Sequence, residues 1–326
     1  MEASEQTADV LVIGAGMAGL TAAVELQGAG RRVLVLDKGR GLGGRLASRR
    51  IGGATFDHGA QFITSHQSRF TAVLEQGRRS GAVQEWGRGF AGRADGAVHW
   101  CGQPAMSAVA KHLALDLDYH LETPVVALHR VGDRWRAETT TGRAFTAGAV
   151  VLTPPVPQSL ALLDAGGLVL APDLRTRLAG IEYERCLAVL AVTQGPSRVP
   201  PPGGLALTEG PIAWIADNQL KGISAEPSVT ILATPDFSLE NWENDQQESA
   251  RLLLAAAAEW LDANVTSFQV HGWRYSKPKR VYGERCVLVS QSPALVLAGD
   301  AFSGPRVEEA ALSGWAAAAA ILDAAS

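Results

Sequence analysis

Three glycines, Gly14 and Gly16 after the apolar run Val10–Ile13 and Gly19 in the first turn of the Ala-rich stretch Met17–Gln27, have the spacing that holds a pyrophosphate. Gly14 makes the tight turn out of a buried strand, Gly16 lets the backbone approach the phosphates, and Gly19 lets helix and strand pack closely. Met17 and Ala18 open the helix, whose free N–H groups lie at the positive end of its dipole. Val33–Leu36 reads as the next strand, and Asp37 at its end lies near the offset of about 20 residues at which a carboxylate accepts the ribose hydroxyls. Strand, glycine turn, helix and acid in that order imply a dinucleotide site.

A second set of residues could act on a planar ligand. Trp273 and Tyr275 alternate with Arg274, so they share one face of a strand over Phe268–Tyr275 and either stack on a ring or fill a core. His271 shares that face. Gln61 and Asn218 could bond a carboxamide or cap turns. Cys101, Cys186 and Cys286 are odd in number and widely spaced, which suggests neither a disulfide framework nor a metal site and fits a reducing, cytoplasmic setting.

The elements that must position these groups follow from composition and pattern. The 326 residues suffice for two domains, and 47% hydrophobic with 19% charged residues is the balance of a globular enzyme. A net charge of −4 argues against a nucleic-acid footprint, the N-terminus lacks the basic region of a signal peptide, and no apolar run is long enough to span a membrane. Ser68–Arg79 reads as a short helix and Trp86–Trp100 as a hairpin around Ala94-Asp95-Gly96. Val125–Leu128, Trp135–Thr140 and Phe145–Leu152 read as a meander running into Thr153. Cys186–Thr193, Ile212–Asp217 and Val229–Ala233 read as strands, and Asn244–Leu261 as the longest helix. Near the end, Ala294–Ala298 is an apolar strand closed by Gly299-Asp300, and Arg306-Val307-Glu308 opens an Ala-rich last helix that includes Ala311. The expected class is α/β, a Rossmann-type nucleotide-binding domain with a second α+β domain.

The continuation Asp37-Lys38-Gly39-Arg40-Gly41-Leu42-Gly43-Gly44-Arg45 resembles the second signature of the FAD-dependent amine oxidase flavoproteins, whose architecture is shared with p-hydroxybenzoate hydroxylase. Asp57-His58-Gly59-Ala60-Gln61 resembles that family's next landmark, which passes alongside the isoalloxazine ring. The resemblance implies that FAD is held by Gly14, Gly16, Met17, Ala18, Gly19, Asp37, Lys38, Gly44 and Arg45, and by His58, Gly59, Ala60 and Gln61. It further implies roles for the Val126 backbone at the adenine, for Thr153, for Gly299 and Asp300 at the ribitol, and for Arg306, Val307, Glu308 and Ala311 at the flavin O2 edge. Gly283-Glu284-Arg285 before Cys286 does not resemble a flavin tether, so the FAD is expected to be non-covalent. The implied FAD-binding domain comprises 1–67, 101–155 and 281–326, and the substrate domain 68–100 and 156–280.

His271-Gly272-Trp273-Arg274-Tyr275 and Asp217-Asn218-Gln219-Leu220-Lys221 narrow the resemblance to the renalase-like branch of that family. The branch implies oxidation of 2- or 6-dihydro isomers of NAD(P)H to NAD(P)⁺, with O₂ reduced to H₂O₂, and Gln61, Asn218, Trp273 and Tyr275 on the substrate side. In line with this, Glu184–Leu190, the strand best placed to supply the lysine that amine oxidases keep at the flavin, contains none. An amine oxidase or desaturase of the same fold, and a flavin-binding protein without turnover, remain as alternatives.

Overall fold

The computed structural model describes residues 6–325, which divide into two compact units. The first takes in the chain up to Gly44, Ala110–Glu182 and the residues from Pro278 onward; the second takes in Arg45–Val109 and Tyr183–Lys277.

In the first unit an eight-stranded sheet runs in the order Cys286–Gln291, Ala294–Ala298, Ala144–Leu152, Gln6–Ile13, Val33–Leu36, Asp118–His120. Its central pairings are parallel, with Val10 opposite both Val33 and Ala149. Val33–Leu36 and Ala294–Ala298 are buried at every residue, the pattern of parallel strands covered on both faces rather than on alternate ones. The meander is present as Val125–Val131 and Arg134–Thr139, antiparallel to each other and continuing onto Ala144–Leu152. Helices Met17–Gly28 and Val307–Ala324 approach so closely that a Cβ on Gly314 would collide with Ala18 O, and the Thr21 hydroxyl lies 3.2 Å from Ala311 O.

The second unit is a five-stranded sheet ordered Gly204–Ala206, Ile212–Asp217, Ser228–Ala233, Tyr183–Thr193, Val265–Pro278. Period two decides its packing. Leu187, Val189 and Ala191 join Ala250, Leu253, Ala257 and Leu261 of the helical segment in one core, whereas Leu190 packs with Ala54 and Phe56 of the ribbon formed by Ser48–Ile51 and Ala54–Asp57.

Three details depart from expectation. Asn244–Leu261 is not one helix but two, Gln246–Ala256 and Ala258–Leu261, ending at Asp262 with φ 46°; the longest helix is the last, Val307–Ala324. Residues 156–182 pack with the nucleotide-type unit, because helix Val156–Ala165 seats Gly166 against Leu128 O too tightly for any side chain there. Residues 45–67 and 101–109 pack with the second unit, tied by the Phe56–Leu190 contact and by the Met106 N–H bond to Asp57. The expected hairpin forms from Val83–Gly87 and His99–Gly102. Among the described residues no helix is long and apolar enough to cross a membrane.

Candidate active site

The glycine turn has the dimensions its spacing implies. Gly14 has φ 108° and donates to Leu36 O at 2.8 Å, and a Cβ there would collide with the Thr153 hydroxyl. A Cβ on Gly19 would strike Gly14 O itself, so the turn and the helix behind it touch backbone to backbone. Gly43 donates to Ala15 O at 2.8 Å and bridges Gly16, which brings the second glycine cluster onto the first. Met17 and Ala18 are buried, and Gly16 caps the helix with no side chain, leaving its first N–H groups to an anionic ligand.

Asp37 carries a second task that its offset alone does not reveal. Its carboxylate accepts from Ala15 N and Gly39 N, both at 2.6 Å, and so fixes the two loops that border the cradle; each oxygen keeps lone pairs for sugar hydroxyls. Lys38 reaches Gln158 Oε1 at 3.0 Å. The Thr153 hydroxyl donates toward Ile13 O and Gly14 O. Val126 falls where the meander register skips from Val125 to Ala127, and a bulge leaves one residue outside the ladder, here half exposed. At the far end Gly299, with φ 140°, donates to the Ser313 hydroxyl at 2.8 Å, Asp300 is buried beside it, and Glu308 is buried in the first turn of the last helix. Arg306 pairs with Glu309 at 2.7 Å, Val307 begins the helix, and Ala311 is fully buried against Thr21. A cradle lined by backbone, with no room for Cβ atoms at Gly14 and Gly19, suits the pyrophosphate and sugar of FAD.

In the second unit, Arg45 donates to Ser276 O at 3.0 Å while Ala60 donates back to Arg45 O at 2.9 Å; Gly59 lies so close to that carbonyl that only glycine fits. The turn Asp57–Gln61 is clamped from below. Lys221, wholly buried, places its ammonium 2.7 Å from the Asp57 carboxylate, 2.7 Å from Gln61 O and 4.6 Å from the centre of the Trp86 ring. The other Asp57 oxygen accepts from Ser48 Oγ at 2.6 Å and Met106 N at 2.9 Å. Gln61 Nε2 donates to Asp57 O and Gly59 O, so the amide closes the turn on itself.

Of the four residues expected at the substrate, Trp273 and Gln61 bracket this turn. Trp273 donates its indole N–H to His58 O at 2.6 Å, stacks on the His58 ring at 5.3 Å and meets His271 edge-on at 4.3 Å. The other two are engaged elsewhere. Asn218 is fully buried and its amide bonds Ser228 O and Thr230 Oγ1, while Tyr275 meets Tyr183 edge-on at 5.4 Å. Burial pushes His58 down to about 3, with the neighbouring His271 and Arg49 adding to the shift; burial and Arg49 bring His271 down to about 4. Both imidazoles are neutral at pH 7. Burial also pushes the Cys186 thiol up to about 12, so it stays protonated.

Lys221 is the residue sequence reasoning missed. It lies four places after Asp217, whose carboxylate accepts Gln219 N, Leu220 N and Ser197 Oγ and so shapes the turn that turns the lysine inward. The segment was visible in the sequence; a lysine in a turn reads as solvated until its partner is known.

A family model described as flavin containing amine oxidoreductase matches residues 81–322, and one for an NAD(P)-binding Rossmann-like domain matches residues 12–77. The chain belongs to the flavin-containing amine oxidoreductases. Like them, it is an FAD-dependent oxidoreductase. It is 26% identical to mouse renalase over 319 residues, covering 90% of this chain and 93% of that protein. It is 43% identical to putrescine oxidase of Kocuria rosea, but over 68 residues only, 21% of this chain and 14% of that one. A solved structure of an engineered putrescine oxidase superimposes with TM-score 0.72 at 15% identity, over 98% of this chain and 99% of that one, which establishes a shared fold.

Proposed function

We propose that this flavoprotein oxidises 2- or 6-dihydro isomers of NAD(P)H, in the overall reaction dihydronicotinamide + O₂ + H⁺ → NAD(P)⁺ + H₂O₂, as a small-molecule oxidase of the cytoplasm. FAD, when bound, carries the two electrons between the nicotinamide and oxygen. Its proposed ligands are Gly14, Gly16, Met17, Ala18, Gly19, Asp37, Lys38, Gly44, Val126, Thr153, Gly299, Asp300, Arg306, Val307, Glu308 and Ala311, together with Arg45, His58, Gly59, Ala60 and Gln61.

The observation that carries this reading is the condition of the second unit's polar groups. Amine chemistry favours a lysine free to act and carboxylates to hold a cationic substrate. Here Lys221 is tied to Asp57, and among the described residues no carboxylate pairs with His58, His271 or Arg49. A dihydronicotinamide makes no such demand. Its ring nitrogen expels hydride and the product gains aromaticity, so the protein has only to orient a planar ring and keep it dry. Trp273, its N–H bound to His58 O and its face stacked on neutral His58, is a rigid apolar surface of that kind. The match to mouse renalase covers 90% of this chain, whereas the putrescine oxidase match is confined to 21% of it.

The test is anaerobic single-turnover bleaching of the bound flavin by 2-, 4- and 6-dihydro isomers and by a panel of mono- and polyamines. Fast reduction by the 2- or 6-isomer is expected, with the 4-isomer slower by on the order of a hundredfold because its reacting carbon is misplaced by about 1 Å. Rapid bleaching by an amine, with none by the isomers, would install the amine oxidase reading instead.

A further inference from the structure

Arg49, half-buried on strand Ser48–Ile51, has no acidic partner among the described residues. Its guanidinium meets two neutral side chains of strand Val265–Pro278, Gln269 Oε1 at 3.3 Å and His271 Nδ1 at 3.5 Å. A guanidinium only donates hydrogen bonds, so His271 Nδ1 accepts and the ring hydrogen sits on Nε2. Gln269, exposed on the same strand, likewise accepts through its oxygen, so its NH₂ group is not used by Arg49. Three side chains therefore converge with surplus donors: the remaining Arg49 N–H groups, the Gln269 amide and His271 Nε2–H. Donors outnumber acceptors here, since the acceptor left over is the second lone pair of Gln269 Oε1. Both nearby imidazoles are neutral, chiefly because burial disfavours their charged forms, with Arg49 adding to the shift, so neither brings a charge of its own to the cluster. A planar, always-charged fork with donors beside it is the geometry that grips phosphate. His271 joins this cluster directly to the Trp273 ring, 4.3 Å away.

We infer that Arg49, Gln269 and His271 form the phosphate-binding subsite for the substrate, gripping the phosphate of the nicotinamide nucleotide whose ring lies at Trp273. This rests on the proposed function for the identity of the ligand, though not for its charge: the same uncompensated cation repels a polyamine. The subsite makes the nucleotide half of the substrate, and not only its ring, a determinant of specificity.

The experiment removes the phosphate from the ligand and the cation from the protein in one cycle. FAD-loaded protein is titrated calorimetrically with oxidised nicotinamide mononucleotide and with nicotinamide riboside, which lacks the phosphate. The mononucleotide is expected to bind about ten- to hundredfold more tightly, the span of one charge-assisted contact. Arg49→Met should close that gap by weakening the mononucleotide alone, with the thermal midpoint and flavin spectrum unchanged. Should Arg49→Met fail to fold, His271→Phe keeps the ring, removes the Nε2 donor, and is expected to narrow the same gap. A gap that survives substitution, or equal weakening of both ligands, overturns the subsite. If neither nicotinamide ligand binds the parent protein, the proposed function fails and inorganic pyrophosphate decides the subsite. Binding to the parent but not to Arg49→Met supports an anion site there; no difference between them overturns it.

Discussion

The two units build their candidate sites from different materials. In the nucleotide unit the surfaces that matter are backbone: Gly14 against Thr153, Gly19 against Gly14 O, Gly43 on Ala15 O, and a bulge at Val126. In the second unit they are side chains held by other side chains: Lys221 on Asp57, Trp273 on His58, Arg49 on Gln269 and His271. Backbone surfaces serve a ligand whose phosphates and sugars never change, and they fail when any atom is added. Side-chain surfaces can be retuned for a new substrate, and they fail when a partner is removed.

That contrast is broken most severely at the glycines. Gly19→Val places a Cβ into Gly14 O, where neither group is a flexible side-chain end, so purified protein should retain no FAD and should unfold well below the parent. Retention of stoichiometric flavin would show that the turn can open. Next in size, Lys221→Met strands a buried carboxylate and should cost on the order of 3–5 kcal/mol in denaturant unfolding, whereas Lys221→Met with Asp57→Asn should recover much of it. If the double variant is no more stable than the single one, the ion pair is not what holds the Asp57–Gln61 turn.

Asp37→Ala sharpens the comparison, because here a side chain fixes two backbone loops of the nucleotide unit. Removing the bonds from Ala15 N and Gly39 N, along with those proposed to the ribose, should weaken FAD by about ten- to hundredfold, or roughly 1.5–3 kcal/mol, as read by equilibrium dialysis. Unchanged affinity would assign the ribose to another group.

The smallest effect is a pH dependence confined to the second unit. His58 titrates near 3 when folded and at the ordinary 6.5 when unfolded, so the unfolded chain binds the extra proton. Stability is therefore full above about pH 6.5 and declines as the pH falls toward 3, by on the order of 1 kcal/mol per pH unit from His58, with a lesser share from the more exposed His271. Thermal unfolding from pH 7 to pH 4.5 should show the decline in the parent and a shallower one in His58→Asn; identical slopes would place the titrating group elsewhere.

How legible each unit was follows from the same contrast. Gly14, Gly16, Gly19 and Asp37 lie within one βαβ stretch, where local spacing and the fixed geometry of strand, turn and helix leave little choice. Gly299-Asp300 is distant in sequence but again marks a strand end followed by a helix. In the second unit, the face shared by His271 and Trp273 could be read from period two, but not what they touch. Asn218 and Tyr275 looked as available as Trp273, and only packing revealed that the Asn218 amide is consumed by Ser228 and Thr230. The break at Ala257 within the helix expected over Asn244–Leu261 was not legible, because the apolar periodicity runs through both pieces without a stop signal.

What the sequence determined by itself, then, was the parallel α/β framework, the FAD fingerprint at both ends of the chain and the family, because each rests on short-range geometry. The tertiary structure alone decided that Lys221 faces Asp57 across 164 positions of chain and that Arg49 faces Gln269 and His271 rather than an acid. Such pairings depend on which strands become neighbours, and the free energy of a buried or uncompensated charge belongs to the assembled environment rather than to the residue.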